Sequence, residues 1–179
     1  LRPVFLLAAA GLVLRAVYWA DYAGFPLFDL AVGPDVSEYD ARAREILSGV
    51  FLPREAEIHA PLYSWFLALL YQLGGSSIPL VRAVQLLLNW GGWLGIYALL
   101  TRLHGIPRKA PLWFLALAML YPVPLFHQAE LISETLLLPL LAGTLAALYV
   151  AERSRTRSER LLRFPLAGVL AGLAAITHP

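Results

Sequence analysis

The chain has 179 residues, of which 59% are hydrophobic and 15% charged, with a net charge of +2 and no cysteine. Soluble domains run nearer 45–50% apolar and about 25% charged, so this composition excludes an ordinary soluble domain and reads as a membrane protein. The small net charge gives no basis for nucleic-acid binding, and the lack of cysteine excludes disulfides and thiolate metal sites.

A transmembrane helix needs about 20 apolar residues. The first candidate is residues 3–20. It carries Arg15 and lacks a convincing small-residue cleavage site, so it reads as a retained span rather than a signal peptide. Next comes "GPDVSEYDARAREILSG", residues 33–49, where Val36, Tyr39, Ala43, Ile46 and Leu47 recur at helical spacing. This predicts a helix over 36–47, ended by Gly49, with Asp35, Glu38, Arg42 and Glu45 on the opposite, solvated side and the helix lying along the membrane surface.

Residues 61–73, "PLYSWFLALLYQL", are apolar but short, which suits an interfacial segment better than a span. Pro61 fits a helix start and Gly74-Gly75 a helix stop. Four further apolar runs follow at 78–100, 110–126, 132–151 and 164–177. The predicted fold is therefore all-α: a polytopic transmembrane bundle of five spans, with interfacial helices in a first external loop, 21–77.

Charge sets the expected orientation. If 61–73 does not cross, one side collects Arg2, Arg102, Arg108, Lys109 and the arginines of "ERSRTRSERLLR", nine of the fourteen basic residues. Residues 21–60, on the other side, hold eight acids and three arginines. The positive-inside rule then predicts a cytoplasmic N-terminus and an external acidic loop. The arginine run 153–163 reads as a cytoplasmic anchor, and Trp90, Trp93, Tyr97 and Trp113 as lipid-facing or packing aromatics. The Ala/Leu/Arg-rich composition suggests a bacterial inner membrane.

Several stretches together resemble the GT-C superfamily of polyprenyl-phosphate-sugar glycosyltransferases, nearest to protein O-mannosyltransferases and the lipid A aminoarabinose transferase. They are "GPDVSEYDARAREILSG", "HAPLYSWFLALLYQLGG", "LVRAVQLLLN", "ELISETLLLPLLAGTLA" and "LAGVLAGLAAITHP", in that order. Members of that family usually run to several hundred residues. The chain starts at Leu1 without a Met and stops at Pro179 directly after an apolar run, so the resemblance implies the N-terminal part of one. It implies a hexosyl- or pentosyltransferase acting at the outer membrane face, with a polyprenyl-phosphate-linked sugar as donor and a hydroxyl on a glycan, lipid or protein as acceptor. An essential aspartate stands near the start of that family's first interfacial helix, and Asp35 occupies the position. The Ser133-Glu134 pair matches the Ser/Thr-Glu or Leu-Asp pair that the family often has at the start of the fourth span. Where the family's closing span commonly ends Thr-Arg-Pro, this chain has Thr177-His178-Pro179.

The chemistry needs a base for the acceptor proton and polar or positive groups for the departing phosphate. Asp35 fits the base; read from spacing alone, Asp35 with Glu38 three residues on is also a capping-box variant. Glu134 either faces a polar cavity or is a solvated acid at a helix N-terminus. Glu38, His59, Arg82 and His178 complete the candidate substrate-binding set. His59 could equally be an exposed loop histidine, and Arg82 a snorkelling anchor. A divalent metal ion stays open as a cofactor, with Asp35, Glu57 and His59 as conceivable ligands lacking tight ligand spacing. A transporter or lipid-linked-sugar flippase is the alternative from another class, and a catalytically dead partner subunit a third.

Overall fold

A computed structural model describes residues 2–51 and 59–177, and every regular element among them is an α-helix. In chain order these are α1 (Arg2–Tyr22), α2 (Pro34–Leu47), α3 (Leu62–Gly74), α4 (Ile78–Leu100), α5 (Ala110–Leu120), α6 (Pro122–Ala129), α7 (Glu134–Glu152) and α8 (Arg157–Ala175). Helices α1, α4 and α7 are long and apolar enough to cross a membrane, and α5 is a shorter apolar helix. The protein is an all-α integral membrane protein.

Two of the expected runs have different bounds. The run 110–126 is two helices, because Pro122 disfavours helical backbone at Tyr121, whose ψ of 124° ends α5 and starts α6. The arginine-rich stretch after α7 is not all connection. Thr156 caps α8 by accepting from the Glu159 N–H (3.2 Å), so the helix starts at Arg157 rather than near Phe164.

Packing follows from what prolines and helix ends leave unpaired. Pro139 has no N–H, so the carbonyl of Thr135, four residues earlier, lacks its helical donor. Asn89 on α4 supplies one, its Nδ2 lying 2.8 Å from that oxygen. One turn further along α4, Gly92 lets the two helices close: a Cβ there would meet Pro139 Cα and Leu138 Cγ at 3.3 Å. Gln85 Nε2 donates to the Glu130 carbonyl (2.7 Å), beyond the end of α6. Arg82 donates to the Ala129 carbonyl, to Leu30 O (3.4 Å) and to the Tyr22 hydroxyl (3.2 Å), and its guanidinium stacks on Tyr22 and Phe28. Arg82, Gln85 and Asn89 thus form one buried polar edge of α4 that holds the non-helical 130–133 segment in place. On α1, Arg15 is also buried, with Nη1 on the Gly11 carbonyl (3.0 Å).

The C-terminal end of α1, the N-terminal ends of α4 and α7 and the C-terminal ends of α6 and α8 meet at one end of the bundle. Tyr22 reaches Glu130 there (3.1 Å), and the Leu62 N–H donates to the Ile176 carbonyl (3.2 Å). Helices α2 and α3, of 14 and 13 residues, are too short to cross and pack on this end. Val36, Tyr39, Ala43 and Ile46 face Tyr63, Leu67 and Tyr71 in one apolar core that also takes in Val81, Leu131 and Leu136.

The apolar face of α2 follows the expected periodicity, but Leu47 is exposed and Arg42 is not on the solvated side. Arg42 is buried because the chain turns back after Gly49, bringing the carbonyls of Val50 (3.2 Å) and Phe51 (3.1 Å) onto its guanidinium. Tyr71 donates to Asp40 Oδ1 (2.7 Å), tying α3 to α2. Helix α3 stops at Gly75, whose φ of 71° favours glycine.

Candidate functional site

The acid-rich start of α2 lies beside two other chain segments. Gly33, with φ 121°, precedes Pro34 in the first turn, and α2 has no side-chain cap. Asp35 is therefore not the helix cap that its spacing to Glu38 allowed. Proline at the first helical position, with its preset φ, starts the helix one residue too early for that. Asp35 sits in the first turn instead, where the helix dipole favours a carboxylate.

Asp35 and Glu38, one turn apart, both face His59. Its Nε2 lies 2.9 Å from Glu38 Oε2 and 3.8 Å from Asp35 Oδ1. The two acids are exposed, with 66% and 59% of their side chains accessible, against 22% for His59. The imidazole is held from below by Tyr39, ring centroids 4.9 Å apart, and Tyr39 in turn meets Tyr63 edge-on at 4.8 Å. Tyr63 donates to Gln85 Oε1 (2.8 Å), so the stack rests on the polar edge of α4.

The same tyrosine links the first loop to α7. The buried Tyr39 hydroxyl is within hydrogen-bonding reach of Ser133, and Ser133 Oγ donates to Glu134 Oε2 at 3.4 Å. Burial raises the Tyr39 pKa; the Ser133 contact opposes this, and the nearby charges of Glu134, Asp35 and Glu38 add to it. Tyr39 therefore stays a neutral hydroxyl beneath a group of three exposed carboxylates. The periodicity of α2 places Tyr39 on an apolar face but does not reveal the partner of its hydroxyl, because Ser133 is 94 residues away in the chain.

Of the six sequence candidates, Asp35, Glu38, His59 and Glu134 thus meet around Tyr39. Arg82 does not join them: it is 3% exposed and its Nη1 and Nη2 donate to Tyr22, Leu30 and Ala129. His178 and Glu57 lie outside the described residues, although the preceding α8 end is fixed at Leu62, close to His59 in the chain. Among the described residues no three histidine or acidic side chains form a metal-ligand set.

Beside the polar cluster, a cavity of about 540 Å³ opens among α3, α4, α7 and α8, lined by Leu62, Phe66, Leu88, Leu136, Pro139 and Leu173, among others. Its walls are almost wholly apolar. One lining residue, Phe66, packs on Tyr63 (6.0 Å), and another, Leu136, lies two residues after Glu134 on α7.

No curated protein and no solved structure matches the chain. A family profile does match it, over residues 58–178, and carries the description dolichyl-phosphate-mannose-protein mannosyltransferase. That match includes His59, Arg82 and Ser133-Glu134 and starts after Asp35 and Glu38. It spans well over half of the chain, and the protein therefore belongs to this family of GT-C membrane glycosyltransferases, which use lipid-linked sugars.

Proposed function

We propose that the protein transfers a sugar, a hexose such as mannose, from a polyprenyl-phosphate carrier to a hydroxyl at the outer face of the membrane. The observation that supports this reading is the grouping of Asp35, Glu38 and His59 over Tyr39, whose neighbours Ser133 and Glu134 start α7, together with an apolar cavity walled by α3, α4, α7 and α8. A lipid-linked sugar is an apolar chain ending in a phosphate and a polar ring. The cavity suits the chain's first isoprene units and the polar cluster suits the ring and the acceptor.

In the proposed reaction the acceptor oxygen attacks the anomeric carbon from the face opposite the phosphate. Asp35 takes the hydroxyl proton as the new C–O bond forms. The bond from the anomeric carbon to the phosphate oxygen breaks, and the polyprenyl phosphate leaves with the bonding pair. The configuration at that carbon inverts. His59, held by Glu38 and backed by Tyr39, is the nearest cation-forming group for the departing phosphate, and Glu134 orients hydroxyls of sugar or acceptor. Arg82 serves the site indirectly, by fixing the segment that leads to Ser133. His178 is proposed as a further phosphate contact, in place of the arginine common at that position.

Charge also supports the outer-face assignment. Asp21, Asp29, Asp35, Glu38, Asp40, Glu45, Glu130 and Glu134 fall at the site end, and Arg102, Arg108, Lys109 and the arginines of 153–163 at the other. Five crossings with a cytoplasmic N-terminus follow by the positive-inside rule, with α5 and α6 together making the third. A transporter would need free polar groups at mid-membrane, whereas Gln85 and Asn89 are occupied by backbone carbonyls. The test is sugar transfer from a synthetic polyprenyl-phosphate hexose by the full-length protein in liposomes. Transport of the donor across the bilayer without any transfer would overturn the reading.

A further inference from the structure

The end of the bundle away from the site carries a second organised surface. The α7–α8 turn and the first turns of α8 hold Arg153, Arg155, Arg157, Arg160 and Arg163, with Glu152 and Glu159 as the neighbouring acids. The Tyr149 hydroxyl donates to the Arg102 carbonyl (2.9 Å), so the α4–α5 connection, with exposed Arg108 and Lys109, lies at the same end.

The arginines are not arranged at random. Arg157, Arg160 and Arg163 recur every third residue along α8 and share one side, Leu162 and Leu166 fall on the other, and Leu161 flanks Arg157 one turn on. Leu161 and Leu162 are 66% and 75% exposed, although they lie within the most charged stretch of the chain. Local contacts brace the turn: Arg160 Nε donates to the Ser154 carbonyl (3.2 Å), Arg163 to Ser154 Oγ (3.0 Å), and Arg153 stacks on Tyr149 at 3.7 Å. Among the described residues, Arg155 and Arg157 form no ion pair.

We propose that this turn and the first two turns of α8 form a docking surface for anionic phospholipid headgroups. Cationic side chains beside exposed leucines on a short helical stretch match the two layers of a bilayer surface, phosphates above and acyl chains below. The match is one of charge: a zwitterionic headgroup offers the same phosphate but cancels its field with an ammonium. This proposal is independent of the transferase reading, since none of these residues belongs to the cluster around Tyr39.

The experiment uses the full-length protein in nanodiscs of phosphatidylcholine, with or without a third of the lipid replaced by phosphatidylglycerol. The anionic lipid raises the unfolding temperature, on the order of 5 °C, as expected for binding to the folded state alone, and high salt removes most of that rise. Arg155→Gln with Arg157→Gln, neither of which makes a side-chain contact that braces the turn, loses at least half of the response. Glu152→Gln, which makes the turn more positive, enlarges it. Phosphatidylglycerol retained after purification, counted per protein, falls in the double variant. Equal unfolding temperatures in the two lipid mixtures, or a double variant with the full response, would overturn the proposal. So would inorganic phosphate reproducing the shift in pure phosphatidylcholine, because the ligand would then be free phosphate rather than a lipid surface.

Discussion

The Nε2 of His59 lies 2.9 Å from Oε2 of Glu38, and through this contact a loop residue is fixed against the N-terminal half of α2. Both partners are partly exposed, so the pair is worth little as stability, about 0.2–1 kcal/mol for such contacts. Its consequence is positional: it keeps the imidazole over Tyr39 and toward Asp35. Glu38→Gln should reduce kcat/KM by less than about tenfold, and in a His59→Ala background it should cost nothing more, because the contact is already gone. A double-mutant cycle on transfer activity reads this directly. Fully additive losses would mean that the two side chains act apart.

For Asp35→Asn a much larger loss is expected. General bases contribute about 10²–10⁴-fold to rate, and the amide cannot accept the proton. Since Gly33 rather than Asp35 occupies the cap position, the substitution removes no capping bond. It loses the charge–dipole interaction at the start of α2, about 0.3–1 kcal/mol, and the long, exposed contact with His59 (3.8 Å), which adds little. Unfolding temperature and donor binding should therefore stay close to the parent's while kcat collapses. Near-normal turnover would leave Asp35 as a first-turn acid only and move attention to Glu134.

Much of this arrangement was legible in the sequence, and what was not has identifiable causes. Periodicity set the face of α2 and the bounds of α4, because each depends on local spacing. Arg42 was misplaced because its burial depends on two carbonyls brought back by the turn at Gly49, which spacing within the helix does not encode. Two signals were present but unread: Pro122 as the break after α5, and Thr156-x-x-Glu159 as a helix start inside the arginine run. Arg82 shows the limit of reasoning by residue type. A positive charge at the end of a span can hold phosphate, but here three chain segments engage its two terminal nitrogens and the side chain is buried.

Orientation is open to a direct test, since the chain has no cysteine of its own. Gln72→Cys on α3 should react with an impermeant thiol reagent from outside intact cells, and Ser158→Cys on α8 only after the membrane is opened. Both positions are exposed, so accessibility rather than burial decides the outcome. External labelling of Ser158→Cys would reverse the proposed orientation and put the Asp35 cluster in the cytoplasm.

The most specific structural prediction concerns Asn89 and Pro139. Asn89 Nδ2 supplies the Thr135 carbonyl with the hydrogen bond that proline cannot give. Asn89→Leu should leave that carbonyl unpaired at a buried helix crossing, at a cost of about 1–3 kcal/mol. Replacing the proline restores an N–H four residues after Thr135, so Pro139→Ala should recover much of the stability lost in Asn89→Leu. In an otherwise unchanged protein, Pro139→Ala should have a smaller effect, because the carbonyl already has a donor. The four proteins form a cycle that thermal unfolding in detergent can measure. Rescue by Pro139→Ala in the Asn89→Leu background, larger than its effect alone, is the expected sign of coupling. Simple additivity would show that Asn89 stabilises the crossing by packing, with no role for the missing proline N–H. Since α7 begins at Glu134, loosening this crossing should also weaken the placement of Ser133 under Tyr39 and lower transfer activity in step with stability.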